Sequence, residues 1–217
     1  MHSEARGAGE TPLPRPATVV IPVRSFEGAK SRLGAVLDAE ERRDLVARLL
    51  RRTIAASSST PGVDSVIVVS PDPEVLELAR AAGAHPLLQR SRGLNPALQE
   101  ARLAALSAAR LLIVPGDLPS VSPAALSTLL QAGDAAGSPG VVLAPDRHGR
   151  GTNALLLDPP DVIDPAFGGD SRAAHAWLAS SADAAFVEVA GDLGLDVDTP
   201  DDLLLVSAAR PEALDVE

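Results

Sequence analysis

Cysteine and tyrosine are absent from this 217-residue chain, which has one tryptophan and three phenylalanines. Without cysteine there can be no disulfide, no thiolate nucleophile and no Cys-ligated zinc or iron–sulfur centre. An aromatic content of 2% leaves few anchors for a partner surface and argues against a scaffolding role. No uninterrupted apolar run is long enough to span a membrane. The opening MHSEARGAGETPLPRP carries acidic residues and no apolar core, so it does not read as a secretory signal, and a cytoplasmic location is expected. Positive charge is scarce too: 19 basic against 29 acidic residues leave a net charge of −10, which opposes binding to nucleic acid or to an anionic membrane. Among the charged residues lysine is scarcest, with Lys30 alone beside 18 arginines. In so arginine-biased a composition Lys30 stands out, although composition by itself accounts equally well for a stray lysine on a solvated loop.

What the chain does have is a 46% hydrophobic content, enough for one sizeable core. Residues 1–17 read as a Pro/Gly-rich disordered leader, 18–210 as one domain and 211–217 as a tail. Apolar runs of strand length alternate with helix-period segments: Thr18–Val23, Asp38–Ser57, Val63–Ser70, Pro73–Ala82, Leu94–Ala109 and Leu111–Val114. Asp38 followed by Glu41 predicts a capping box, and Ser122 followed by proline opens another helix near Ser122–Ala132. Gly140–Ala144 and Asn153–Leu157 are two strand-like runs joined only by PDRHGRGT, as a hairpin or a long functional loop. A helix at Ser171–Ala179, a strand at Ala184–Val189 and a run at Leu195–Val197 leading into a short capped DTPDDLLLV helix follow. The pattern predicts an α/β fold: a mostly parallel sheet of six or seven strands with helices on both faces.

In such sheets ligands bind beyond the carboxyl ends of the strands, so the residues that follow each apolar run carry the most information. PVRSFEGAKSRLG follows the first run and gathers Arg24, Lys30 and Arg32 with Gly28 and Gly34, as an anion-binding loop would. A solvated basic turn is the competing reading. Neither GxxxxGK[ST] nor GxGxxG occurs. Asp117 lies in PGDLPSV, just past a buried strand, where an aspartate is either a turn residue or a ligand. Asp196 and Asp198 in LGLDVDTPDD are two apart and share a side if extended, where they repel unless a cation lies between them. Asp198 also suits the N-cap of the following helix. Three such carboxylates offer hard oxygen donors of the kind Mg²⁺ takes together with phosphate oxygens. GLNPAL puts Gly93 and Asn95 at a helix start, RGTNALLL puts Thr152 and Asn153 at a strand entrance, and FGGDSRAAH puts Gly168 and Ser171 at another helix start able to hold an anion. His175, one turn beyond Ser171, reads as a packed or hydrogen-bonded histidine before a catalytic base.

Taken in order, IPVRSFEGAKSRL, GLNPAL, PGDLPSV, PDRHGRGTNALLL, FGGDSRAAH and LDVDTPDDL resemble the 2-phospholactate guanylyltransferase family of coenzyme F-420 biosynthesis, with its phosphoenolpyruvate-using branch, over about residues 18–206. The resemblance implies a GT-A-like nucleotidyltransferase fold and transfer of GMP from GTP to the phosphate of a small phosphorylated acid. It implies Mg²⁺ on Asp117, Asp196 and Asp198, with Asp117, Lys30 and Arg24 as catalytic residues. Thr152, Gly168 and Ser171 would grip the acceptor, and Arg24, Lys30 and Arg32 would meet the triphosphate. The guanine would lie near Ser70–Asp72 and Gly93–Asn95. Phosphoenolpyruvate is the favoured acceptor by association, because the Arg/Ala-rich composition resembles that of actinobacterial members. The alternatives are 2-phospho-L-lactate, a CTP-dependent or molybdopterin-type transferase, and a nucleotide-binding module without catalysis. A homodimer is compatible with the resemblance.

Overall fold

The computed structural model describes residues 15–209. The predicted tail, and all of the predicted leader except residues 15–17, lie outside that range. Ala17 already belongs to the first strand, one residue earlier than expected.

The strands are β1 (Ala17–Pro22), β2 (Val63–Ser70), β3 (His85–Leu88), β4 (Arg110–Ile113), β5 (Gly140–Pro145), β6 (Thr152–Asp158) and β7 (Ala185–Glu188). The helices are α1 (Ala39–Ser58), α2 (Pro73–Ala81), α3 (Leu94–Ala104), α4 (Pro123–Ala136), α5 (Ser171–Ser181) and α6 (Pro200–Ala209). Seven strands form one sheet in the order β3-β2-β1-β4-β6-β5-β7. Only β6 runs against its neighbours, antiparallel to both β4 and β5. All other pairings are parallel.

Both faces of the sheet are apolar, which is why its strands read as continuous hydrophobic runs and not as alternating ones. On one face Leu50 and Ile54 of α1, Val75 of α2 and Leu126 of α4 pack on Val19, Ile21, Val68 and Leu112. On the other, Leu98 of α3 and Ala179 of α5 pack on Val20, Val69, Ile113 and Leu155. A third, smaller cluster joins Leu33 of the short 3-10 helix Ser31–Ala35 to Leu45 and Leu49 of α1, Val197, and Val206 of α6. Burial of each large aliphatic side chain contributes roughly 1.5–3 kcal/mol, so the small cluster holds its members firmly.

The local signals act as their chemistry dictates. Asp38 accepts from Glu41 N–H at 2.9 Å while the Glu41 carboxylate accepts from Asp38 N–H at 2.7 Å, closing the predicted capping box. Ser122 caps α4 through Ala125 N–H. PDRHGRGT is the hairpin connection between β5 and β6. Four expectations fail, two of them at Leu195–Val197, which enters no strand, and at α4, which runs on to Ala136, four residues past Ala132. β3 was not foreseen, since HPLL is a short, partly exposed edge strand containing a proline, which suits an edge but blunts the strand signal. α3 ends at Ala104 instead of Ala109, because the alanine-rich stretch carries helical propensity and no stop residue, yet the chain has to turn into β4 at Arg110.

β1 lies between β2 and β4, and the chain leaves it toward β2 but reaches β4 only after two further helices. That reversal of winding opens a crevice past the carboxyl ends of β1 and β4. The turn after β4 lies so close to β1 that a Cβ on Gly116 would come 3.0 Å from Val23 Cγ2 and 3.3 Å from Ile21 Cγ2. Glycine at this position sets the approach of the residue that follows, Asp117.

Candidate active site

Lys30 and Asp117 enter the crevice from the loops after β1 and β4. Asp196 and Asp198 come from the stretch before α6. Lys30 takes a left-handed backbone conformation (φ 49°), and its Nζ donates to Asp117 Oδ2 at 2.6 Å and to Asp198 Oδ1 at 2.7 Å. Local packing explains the aim of these groups. Val197 is fully buried in the small cluster with Leu33, so its neighbours on either side, Asp196 and Asp198, turn the other way, toward Asp117. Val197 N–H donates to Asp117 O at 3.4 Å. Asn153 donates to Leu193 O at 2.8 Å and ties the acid-bearing stretch to β6.

Electrostatics follow from this crowding. Burial works against the Lys30 ammonium, but the Asp117 and Asp198 carboxylates outweigh it and hold its pKa above the ordinary value. Burial first, and then repulsion from Asp117 and Asp198, push the Asp196 carboxyl up, with Lys30 only partly offsetting them. Asp198 is not the cap of α6. Thr199 takes that place: its N–H and hydroxyl and the Asp198 N–H all donate to Asp202 Oδ2, and Asp202 N–H returns to Thr199 Oγ1. The Asp198 carboxylate is thereby left to Lys30.

The three aspartates thus share one locality with a cation between two of them, and their hard oxygens suit a divalent ion. Among the described residues, no three acidic or histidine side chains stand ready as a coordination shell, and the Lys30 ammonium meets the negative charge instead. Arg24, on the loop before Lys30, and Arg32, in the 3-10 helix just after it, are both exposed, so the predicted basic group is divided: one member turned in, two facing solvent.

A second, neutral group lies at the start of β6 and α5. Ser171 Oγ donates to Thr152 Oγ1 at 2.9 Å, and Thr152 Oγ1 is 3.1 Å from His175 Nδ1. All three residues are buried. Gly168, with φ 151°, begins the turn into α5, and its carbonyl accepts from Ser171 N–H. Burial lowers the His175 pKa to about 4, which keeps the ring neutral.

The residues expected near a base are occupied as loop anchors. Ser70 Oγ donates to Arg24 O at 2.9 Å. Asp72 accepts from Ser25 Oγ, Phe26 N–H and Glu74 N–H, and these bonds outweigh burial and lower its pKa. Gly93 is the N-cap of α3. The Asn95 amide grips the Phe167 backbone at both ends, Nδ2 to O at 2.9 Å and Phe167 N–H to Oδ1 at 2.8 Å. Sequence reasoning missed this bracing between α3 and the 164–170 loop. The position of Asn95, one of only two asparagines, at a helix start was the available signal.

A family model described as "Guanylyl transferase CofC like" matches residues 17–208. A phosphoenolpyruvate guanylyltransferase of Sphaerobacter thermophilus is 46% identical over 195 residues, covering 88% of this chain and 93% of its own length. One of Rubrobacter xylanophilus is 43% identical over 193 residues, with the same two coverages of 88% and 93%. A solved nucleotidyl transferase of Methanothermobacter is similar in fold, with a TM-score of 0.65, 17% identity, and coverage of 92% of this chain and 98% of that one. The α/β sheet is therefore of the GT-A-like nucleotidyltransferase type. With charged groups gathered at its switch point and a family match over nearly every described residue, this chain belongs to the CofC-like guanylyl transferase family and is a nucleotidyltransferase.

Proposed function

We propose that the chain transfers GMP from GTP to the phosphate of phosphoenolpyruvate, giving enolpyruvoyl-2-diphospho-5'-guanosine and pyrophosphate, a step of coenzyme F-420 biosynthesis. The observation that carries this reading is the convergence of Lys30, Asp117 and Asp198, far apart in sequence, at the carboxyl ends of β1 and β4. Relatives at 43–46% identity that bear the phosphoenolpyruvate name favour that acceptor over 2-phospho-L-lactate.

An acceptor phosphate is anionic at neutral pH, so one of its oxygens attacks the α-phosphorus of GTP while the bond from that phosphorus to the β-phosphate oxygen breaks. No proton has to move and no general base is required, which agrees with a site whose buried histidine is neutral and hydrogen-bonded. What the reaction needs is screening of two phosphates that repel each other, in-line alignment, and stabilisation of the leaving pyrophosphate. Mg²⁺ held by Asp117, Asp196 and Asp198 would supply the neutralising charge and orient phosphate oxygens. In this reading Lys30 exchanges its carboxylate partners for phosphate when nucleotide enters. Arg24 and Arg32 meet the triphosphate from the solvent side. Thr152, Ser171 and the Gly168 turn hold the acceptor, and Ser70–Asp72 with Gly93–Asn95 shape the edge of the base site through the loops they anchor.

The test is pyrophosphate release and product mass with Mg²⁺, GTP and phosphoenolpyruvate. The expected result is release with GTP and not CTP, and a product carrying GMP on the acid. Release with CTP alone, or GTP binding with no release for any phosphorylated acid, would overturn the proposal.

A further inference from the structure

The mechanism above gives His175 no chemical step, yet the residue is fully buried and both of its ring nitrogens are engaged. Ala166 N–H lies 2.9 Å from Nε2 and can only donate, so Nε2 is the acceptor and the proton of the neutral ring is on Nδ1. Nδ1–H then donates to Thr152 Oγ1, which also accepts from Ser171 Oγ. With two accepted bonds on its oxygen, Thr152 has its own hydroxyl proton left to give. The Phe167 ring meets the imidazole edge to face at 5.2 Å between centroids and fixes its plane. Asn95 clamps the Phe167 backbone from α3, so the 164–170 loop is held at two successive residues.

We propose that His175 is a positioning residue for the acceptor: its Nδ1–H keeps the Thr152 hydroxyl as a donor toward the bound anion, and its Nε2 fixes the loop that leads into α5. The inference rests on the reading of Thr152, Gly168 and Ser171 as the acceptor pocket. A purely structural histidine would fill the same space without controlling which way Thr152 donates.

Two isosteric replacements separate these roles. In His175→Asn the side-chain amide N–H lies near the position of Nδ1 and can donate to Thr152, but it cannot reach Ala166. In His175→Gln the amide oxygen can accept from Ala166 N–H, with no donor left for Thr152. Steady-state kinetics with GTP and phosphoenolpyruvate are read alongside melting temperature, with His175→Leu as the full deletion. The expected result is a rise of about tenfold in acceptor KM for His175→Leu and His175→Gln, the scale of one hydrogen bond. The GTP KM should be unchanged, kcat should stay within about threefold, and most of the acceptor KM should be recovered in His175→Asn. Recovery in Gln and not in Asn, or equal changes in both KM values tracking melting temperature, would overturn the proposal. If His175→Leu does not fold, the Asn and Gln pair decides alone. Thr152→Val separates this inference from the reading beneath it. An unchanged acceptor KM in Thr152→Val removes the pocket itself, whereas a raised KM there with none in the His175 variants removes only the role of His175.

Discussion

The two halves of the candidate site are built on opposite principles. At the carboxyl ends of β1 and β4, one lysine holds two carboxylates together, and a third, Asp196, is disfavoured as an anion by burial and then by repulsion from them. At the start of β6 and α5, three neutral groups satisfy one another in a buried chain of hydrogen bonds. A charged cluster keeps unspent attraction for an incoming cation or phosphate, at the expense of stability. A neutral network spends its bonds internally and is already shaped before any ligand arrives.

The contrast breaks first at Asp117. Asp117→Ala should lower kcat by about 10³-fold, several kcal/mol of barrier, while leaving melting within a few degrees of the parent. Retention of more than about a tenth of the parent activity would take Asp117 out of the reacting centre. The neutral half should instead show itself in pH-dependent stability. His175 titrates near 4 in the folded protein against 6.5 when exposed. The unfolded chain therefore binds the proton first as pH falls. Its contribution, at most on the order of 3 kcal/mol, is complete above pH 6.5 and is lost between 6.5 and 4. Denaturant titrations of parent and His175→Asn across that window should converge toward acid, and parallel curves would refute the assignment. The smallest effect sharpens the charged half. Because burial, and then repulsion from Asp117 and Asp198, raise the Asp196 pKa, ionisation of Asp196 lowers stability as pH rises past the ordinary carboxylate range. Asp196→Asn should gain about 1 kcal/mol at pH 7 in chemical denaturation while losing turnover, a trade of stability for activity. A loss of stability would show that the carboxylate is satisfied as it stands.

Local features of this fold were legible because their causes are local. The Asp38–Glu41 box, the Ser122 cap and the full extent of β2 each rest on residues a few positions apart. The end of α3 was not legible, since nothing between Ala104 and Ala109 marks it and only the docking of β4 decides it. At the site, the pairing of Asp196 with Asp198 on one side was readable from their spacing, but its cause was not. It depends on Val197 entering a cluster with Leu33, Leu45, Leu49 and Val206, contributed from both ends of the described chain. The turning inward of Lys30, away from Arg24 and Arg32, likewise depends on carboxylates that arrive from elsewhere. That Asp198 leaves the cap of α6 to Thr199 depends on Asp202, whose carboxylate accepts from the N–H groups of both Asp198 and Thr199.

The lysine bridge joins positions 168 residues apart. Once β1 and β4 are paired in the sheet, most of that separation is already spanned, so the bridge depends on the whole fold and not on any local segment. Until the stretch before α6 is in place, Lys30 has Asp117 but not Asp198 to meet, so the final geometry of this charge cluster is fixed by the last segment of the described chain.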